Sequence, residues 1–265
     1  MASSGGTGRI GWVVLAAILA ALVVMIGRAG ADAPNGSGGD ASTFTGSAMI
    51  GPLFAAKSDA HTCTASVVDS PGHNLIMTAA HCVQGTGAGM RFIPNYQQSS
   101  APYGAWVVHA AYVDPQWISN QNPLRDWAFL AVTPHTSQGQ TVNIQDVTSA
   151  FRLGFKWHSG DTVTVSGYYK SANGPTTCTD QLSQHNQYAE FKCEGFGAGM
   201  AGAPLLSGPN GYQQIVGVIG GLQDGGCTDD VSYSSQLGWP LYVTYLRAAS
   251  GAPSDQAPTP GTVHC

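Results

Sequence analysis

Charged side chains are scarce in this chain: Lys, Arg, Asp and Glu make up 9% of its 265 residues, and basic residues cluster nowhere. Ten Lys and Arg oppose 15 Asp and Glu, a formal charge of −5. Holding a polyanion requires a basic patch, so nucleic acid is excluded as a partner. Heptads and fixed-period repeats are missing too, which removes coiled coils and solenoid arrays. Helical periodicity is confined to one late segment. Disorder is excluded by an opposite excess, because 43% of the residues are hydrophobic, and a folded portion of about 200 residues buries a large core.

The chain opens on an apolar run. Residues 10–27 (IGWVVLAAILAALVVMIG) carry no charge and are bracketed by Arg9 and Arg28. At the extreme N-terminus such a run is an export segment. Its length, at the lower edge of a bilayer span, leaves two fates open for residues 1–31: a signal peptide cleaved near Ala29-Gly30-Ala31, or a retained signal anchor. The expected location is outside the cytoplasm, secreted or anchored to the outer face of the cytoplasmic membrane. Because Arg9 and Arg28 flank this segment, eight basic residues face the 15 acidic ones beyond Ala31, a net charge of −7. Six cysteines in an exported chain favour disulfides over free thiols.

Residues 32–44 are small and polar and read as a flexible linker. From residue 45 the chain becomes short β-branched and aromatic runs (MIGPLF, TASVV, NLIMTAA, AWVVHAAYV, DWAFLAV, DTVTVSGYY, YAEFKC, PLLSG, QQIVGVIGGL) separated by Gly, Pro, Asn and Asp. That is the pattern of an all-β sandwich or barrel. One helix is expected over residues 239–249 (WPLYVTYLRAA), where Pro240 suits a first turn. Residues 251–265 form a Pro-rich tail expected to hang loose unless Cys265 pins its end.

Nucleophilic hydrolysis of an amide needs a hydroxyl, an imidazole to take its proton, a carboxylate to hold the imidazole, and amide donors for the oxyanion. Thr78-Ala79-Ala80-His81-Cys82, then Arg125-Asp126-Trp127-Ala128-Phe129-Leu130 at 45 residues beyond the histidine, then Gly199-Met200-Ala201-Gly202-Ala203-Pro204 occur in that order. This succession resembles the trypsin-like serine proteases, and residues 49–54 (MIGPLF) resemble the first strand of their bacterial branch. The resemblance implies two packed six-stranded antiparallel β-barrels with a short C-terminal helix, at about 45–150 and 151–250. It makes His81 the general base and Asp126 its orienting carboxylate. Backbone amides of Gly199 and Ala201 become the oxyanion donors.

By the same resemblance Cys63 bridges to Cys82 and Cys178 to Cys193, which leaves Cys227 for Cys265. A competing zinc site from His61, Cys63, His81 and Cys82 is disfavoured, because His-x-Cys and adjacent His-Cys place both ligands of a pair poorly on one tetrahedral ion. No metal and no cofactor are expected. Residues 218–222 (VIGGL) and 229–234 (DDVSYS) resemble the strand and loop that line the substrate groove.

Two departures from the family pattern stand out. Ala201 occupies the nucleophile position without a hydroxyl, and Ser207, six residues on, cannot replace it without rebuilding the loop. Met200 stands where the animal enzymes pair an aspartate with a newly cut N-terminus, so that activation route is excluded. The expected function is an exported serine endopeptidase scaffold, monomeric, with a peptide or protein in its inter-barrel groove and inert as written. The alternative is a natural pseudoprotease acting as an extracellular peptide- or protein-binding module. An envelope protein without a ligand is the third possibility.

Overall fold

A computed structural model describes residues 1–2 and 38–261, apart from 138, 171, 197–199 and 210. The export helix expected over residues 10–27 lies outside the described residues. Among those described, no helix is long and apolar enough to cross a membrane.

Six strands of the first half are β1 (Ile50–Phe54), β2 (His61–Val68), β3 (Leu75–Thr78), β4 (Arg91–Phe92), β5 (Trp106–Val113) and β6 (Ala128–Val132). They close into a barrel in the order β1-β2-β3-β6-β5-β4. Every residue of β3 and β6 is buried, yet the period of two survives. Ile76, Ala128, Leu130 and Val132 point into the barrel with Trp106 and Phe92, while Leu75, Met77 and Phe129 point outward onto Tyr168, Leu206 and Val218 of the second half. Both faces are therefore covered. Each fully buried Leu, Ile or Phe contributes roughly 1.5–3 kcal/mol, so the outward layer glues the halves together.

The second half uses β7 (Thr162–Gly167), β8 (Thr176–Gln181), β9 (Tyr188–Glu194), β10 (Pro204–Ser207), β11 (Gln214–Val218) and β12 (Val231–Ser235). Antiparallel ladders join β11-β10-β7-β8 and, separately, β9-β12. They surround a core of Val163, Phe191, Phe196, Met200, Leu205 and Ile219. This ring has two seams, unlike the continuous barrel of the first half. At one seam the Val218 N–H donates to Ser234 Oγ at 3.0 Å. At the other, the Cys178–Cys193 disulfide spans β8 and β9, and residues 39–43 fill the gap: Gly39–Asp40 pairs with β9 and Ser42–Thr43 with β8. A Cβ on Gly39 would lie 2.6 Å from Thr179 O, so glycine is what lets this segment enter. Part of the stretch read as linker is thus strand.

The helix Trp239–Ala249 forms where expected, with proline in its first turn, and buries Leu241, Thr244 and Ala248. Residues 252–261 do not hang loose. The Asp255 N–H donates to Ala111 O at 2.8 Å, and Gly85 and Ala257 exchange two backbone hydrogen bonds at 2.9 and 2.8 Å. Composition suggested a free tail because these ties are backbone bonds and two polar side chains rather than apolar burial.

Candidate active site

Register brings His81 and Asp126 together. Thr78 of β3 pairs with Ala128 of β6, so a residue three places after the first and one two places before the second emerge at the same barrel end. His81 sits in the 3-10 turn Ala80–Cys82 that follows β3, and the Cys63–Cys82 disulfide ties that turn to β2. With Cys63 and Cys82 bonded to each other, the zinc alternative falls. His61 serves elsewhere: it is buried against Phe54, Tyr96 and Tyr168, and its Nε2 bonds to Ala172 O at 2.9 Å.

Asp126 is 1% exposed. Its Oδ2 accepts from His81 Nδ1 at 2.7 Å and from the Gly221 N–H at 2.7 Å, and its Oδ1 accepts the His81 backbone N–H at 2.9 Å. A carboxylate buried with three N–H donors stays charged. Burial pushes its carboxyl up, but the charge and hydrogen bond of His81 and the two backbone donors outweigh it, leaving the pKa below the ordinary value. For His81 burial pulls the imidazole down, and Asp126, with a smaller contribution from Asp224, reverses the sign and raises it. Because Nδ1 is committed to Asp126, Nε2 is the nitrogen able to exchange a proton.

His81, Asp126 and Asp224 offer ligand atoms within 4.8 Å of one another. Both Asp126 oxygens and His81 Nδ1 are already spent on the hydrogen bonds above. His81 and Asp126 are therefore built as a proton-handling pair rather than as part of a metal cage, and Asp224 takes no part in their hydrogen bonds.

Ala201 lines the same groove as His81, a cleft of about 710 Å³. Its carbonyl accepts the Thr64 N–H at 2.7 Å, and the next N–H, from Gly202, donates to Ile219 O at 2.7 Å. Gly202 has φ +81°, and a Cβ there would lie 2.2 Å from both Thr64 O and Thr78 Oγ1. Only glycine fits. The structure therefore brings His81, Asp126, Ala201 and the bridge Cys63–Cys82 to one place, with Cys178–Cys193 in the core of the second half beside Phe196 and Met200. Gly199 and Cys265 lie outside the described residues; Cys227 is disulfide-bonded. Ser207 pairs with Gln214 at the end of β10, away from the groove lining.

The family model described as trypsin matches residues 38–230. The chain belongs to the trypsin family. No curated protein matches the sequence. Among solved structures, the trypsin-family chain resembles the protease Anisep from Arthrobacter nicotinovorans at 24% identity and TM-score 0.67, over 79% of this chain and 99% of that one. It also resembles the thermostable serine protease AL20 from an extremophilic microorganism, at 20% identity and TM-score 0.65, over 77% and 98%. A Glu endopeptidase solved with MPD follows at 18% identity and TM-score 0.59, over 82% and 98%. These likenesses concern the fold.

Four residues at the site of this trypsin-family chain were not singled out individually from sequence. Thr64, inside the TASVV run, anchors Ala201, and the Gly-Gly pair 220–221 reaches Asp126. A glycine doublet after an apolar strand was the available signal for the pair. Asp224, with Oδ1 4.0 Å from His81 Nδ1, had none, because its placement depends on an unusual turn.

Proposed function

We propose that the chain is an exported serine endopeptidase scaffold whose groove holds a peptide and whose nucleophile position is occupied by Ala201. The observation that carries this reading is that Ala201 and His81 line one groove, with His81 bonded to buried Asp126. With serine at 201, its Oγ would attack the scissile carbonyl while His81 Nε2 took the proton. Asp126 would hold the imidazole's tautomer and stabilise the imidazolium. The oxyanion would be met by the backbone amides of Gly199 and residue 201, and water would open the acyl-enzyme after His81 returned the proton to the leaving amine. With alanine, turnover falls by roughly a millionfold.

The intact His81–Asp126 pair favours a protease stripped of its nucleophile over a natural pseudoprotease, since a binding module gains little from burying a charge. Export rests on the apolar run at residues 10–27. The test is the Ala201→Ser variant, produced with its disulfides formed. Cleavage of a random peptide library by this variant, abolished by adding His81→Ala, is the expected outcome. A folded, oxidised Ala201→Ser protein that binds peptides without cleaving them would establish the binding-module reading instead.

A further inference from the structure

The groove carries a charge that the hydrolytic machinery does not use. In the turn Leu222–Gly225, Gln223 (φ 54°) and Asp224 (φ 52°) both take the left-handed conformation that non-glycine residues seldom hold. This turn brings the Asp224 carboxylate to the groove wall beside the imidazole. His81 Nδ1, its one ionic neighbour at 4.0 Å, already directs its N–H to Asp126. Among the described residues, no group donates a hydrogen bond to this carboxylate, although it is only 34% exposed. Burial raises its carboxyl against the opposing pull of His81, as expected for an anion short of partners.

The remainder of the groove supplies no compensating charge. Among its described lining residues Asp224 is the one acidic side chain, and no Lys or Arg is present. Asp229 and Asp230, both exposed, lie in sequence between the lining residues Thr228 and Val231 and add to the negative charge near the groove. Lys57 lies beyond Ala56 on the opposite rim and does not line the cleft. Apolar Phe196, Met200, Ile219 and Val231 line the same cleft, which suits the hydrocarbon stem of a long basic side chain.

We infer that Asp224 forms a cation subsite, where a Lys or Arg side chain of a bound peptide lies beside His81 and pairs with the carboxylate. This rests on the peptide-groove reading above. The test uses the chain with Ala201 in place and two random nonapeptide pools. One contains Lys and Arg; the other has norleucine and citrulline at the same positions. Retention on immobilised protein is read by mass spectrometry. The expected result is about tenfold enrichment of the basic pool, between the values of exposed and buried ion pairs. It falls with added salt, persists in Asp224→Glu and vanishes in Asp224→Asn, while retention of the neutral pool, which also reports folding, stays constant. Equal retention of both pools by the unaltered chain overturns the cation subsite and leaves the peptide groove intact. Undiminished enrichment in Asp224→Asn overturns the assignment to Asp224, and retention of neither pool overturns both readings.

Discussion

The backbone N–H of Thr64 donates to the carbonyl of Ala201 at 2.7 Å, so the loop meant to carry the nucleophile is fastened to the barrel that carries His81. Thr64 does more than this. Its carbonyl accepts Thr78 Oγ1 at 2.8 Å and its own Oγ1 accepts the Tyr168 N–H at 2.9 Å. One residue on β2 thereby joins the segment before His81, the nucleophile loop and the end of β7. Replacing Thr64 by valine keeps the shape and the backbone bonds but leaves the buried Tyr168 N–H without an acceptor. The expected loss is about 1–3 kcal/mol of stability in denaturant unfolding. Combined with Ala201→Ser, the change should lower kcat more than it raises KM, because it loosens the seam between base and nucleophile.

Gly202 is expected to tolerate no side chain. In Gly202→Ala the new Cβ would fall 2.2 Å from Thr64 O and Thr78 Oγ1, far inside van der Waals contact, while the backbone is held at positive φ. Both effects act on the same atoms, so the loop must leave its Thr64 anchor. Unfolding should show a loss of at least about 2 kcal/mol, and Ala201→Ser activity should disappear in the double variant. A Gly202→Ala protein of unaltered stability would mean that the loop is not seated on Thr64.

The imidazole and carboxylate form a coupled pair whose pH behaviour has a definite sign. His81 is raised above 6.5 in the folded chain and Asp126 is lowered below 3.8. The contribution of His81 is complete below pH 6.5 and is lost as pH rises through its folded value. That of Asp126 is present above pH 3.8 and is lost as pH falls through its own. The difference in unfolding free energy between the unaltered chain and Asp126→Asn should therefore be greatest between those two values and shrink toward alkaline pH. Since the base must be neutral, the acid limb of kcat/KM in Ala201→Ser should fall above pH 6.5. With Asp126→Asn, burial is left as the main influence on His81, so its imidazole resonance should titrate below 6.5 by NMR, and turnover of Ala201→Ser should drop roughly ten-thousandfold.

Much of the fold was legible because its determinants are local. Runs such as those of β3 and β6 are β-branched or apolar and short, and the threonine, alanines and cysteine around His81 mark the turn that presents it. Asp126 could be found because it directly precedes an apolar strand. What stayed hidden depends on tertiary context. The left-handed turn at Gln223 and Asp224 is held against propensity by its surroundings, so the pair of residues gives no local warning. Gly39 reads as linker composition, yet its missing side chain is what admits a strand between β8 and β9. The seam between β8 and β9 is likewise filled by that inserted segment rather than closed by pairing of the two strands.

The ordered tail supplies the last prediction. Asp255 Oδ2 accepts the Val113 N–H at 2.9 Å, and its Oδ1 pairs with Arg247 of the C-terminal helix. Ser254 Oγ accepts the Ala111 N–H at 3.0 Å. Asp255 thus couples helix Trp239–Ala249 to the end of β5 that the short strand β4 does not reach, and the strap it begins continues past Gly85 to Pro260 on the groove rim. Asp255→Ala strips the acceptor from one buried N–H and the partner from one partly buried guanidinium, so a loss of about 2–4 kcal/mol is expected. Hydrogen exchange should quicken first at Val113 and at Gly85, before the β3–β6 ladder is affected. Asp255→Asn, which keeps the Val113 bond and loses the charge, should recover the protection at Val113 but not the full stability. Equal exchange at Val113 in Asp255→Ala and the unaltered chain would show that the tail rests on the barrel without holding it.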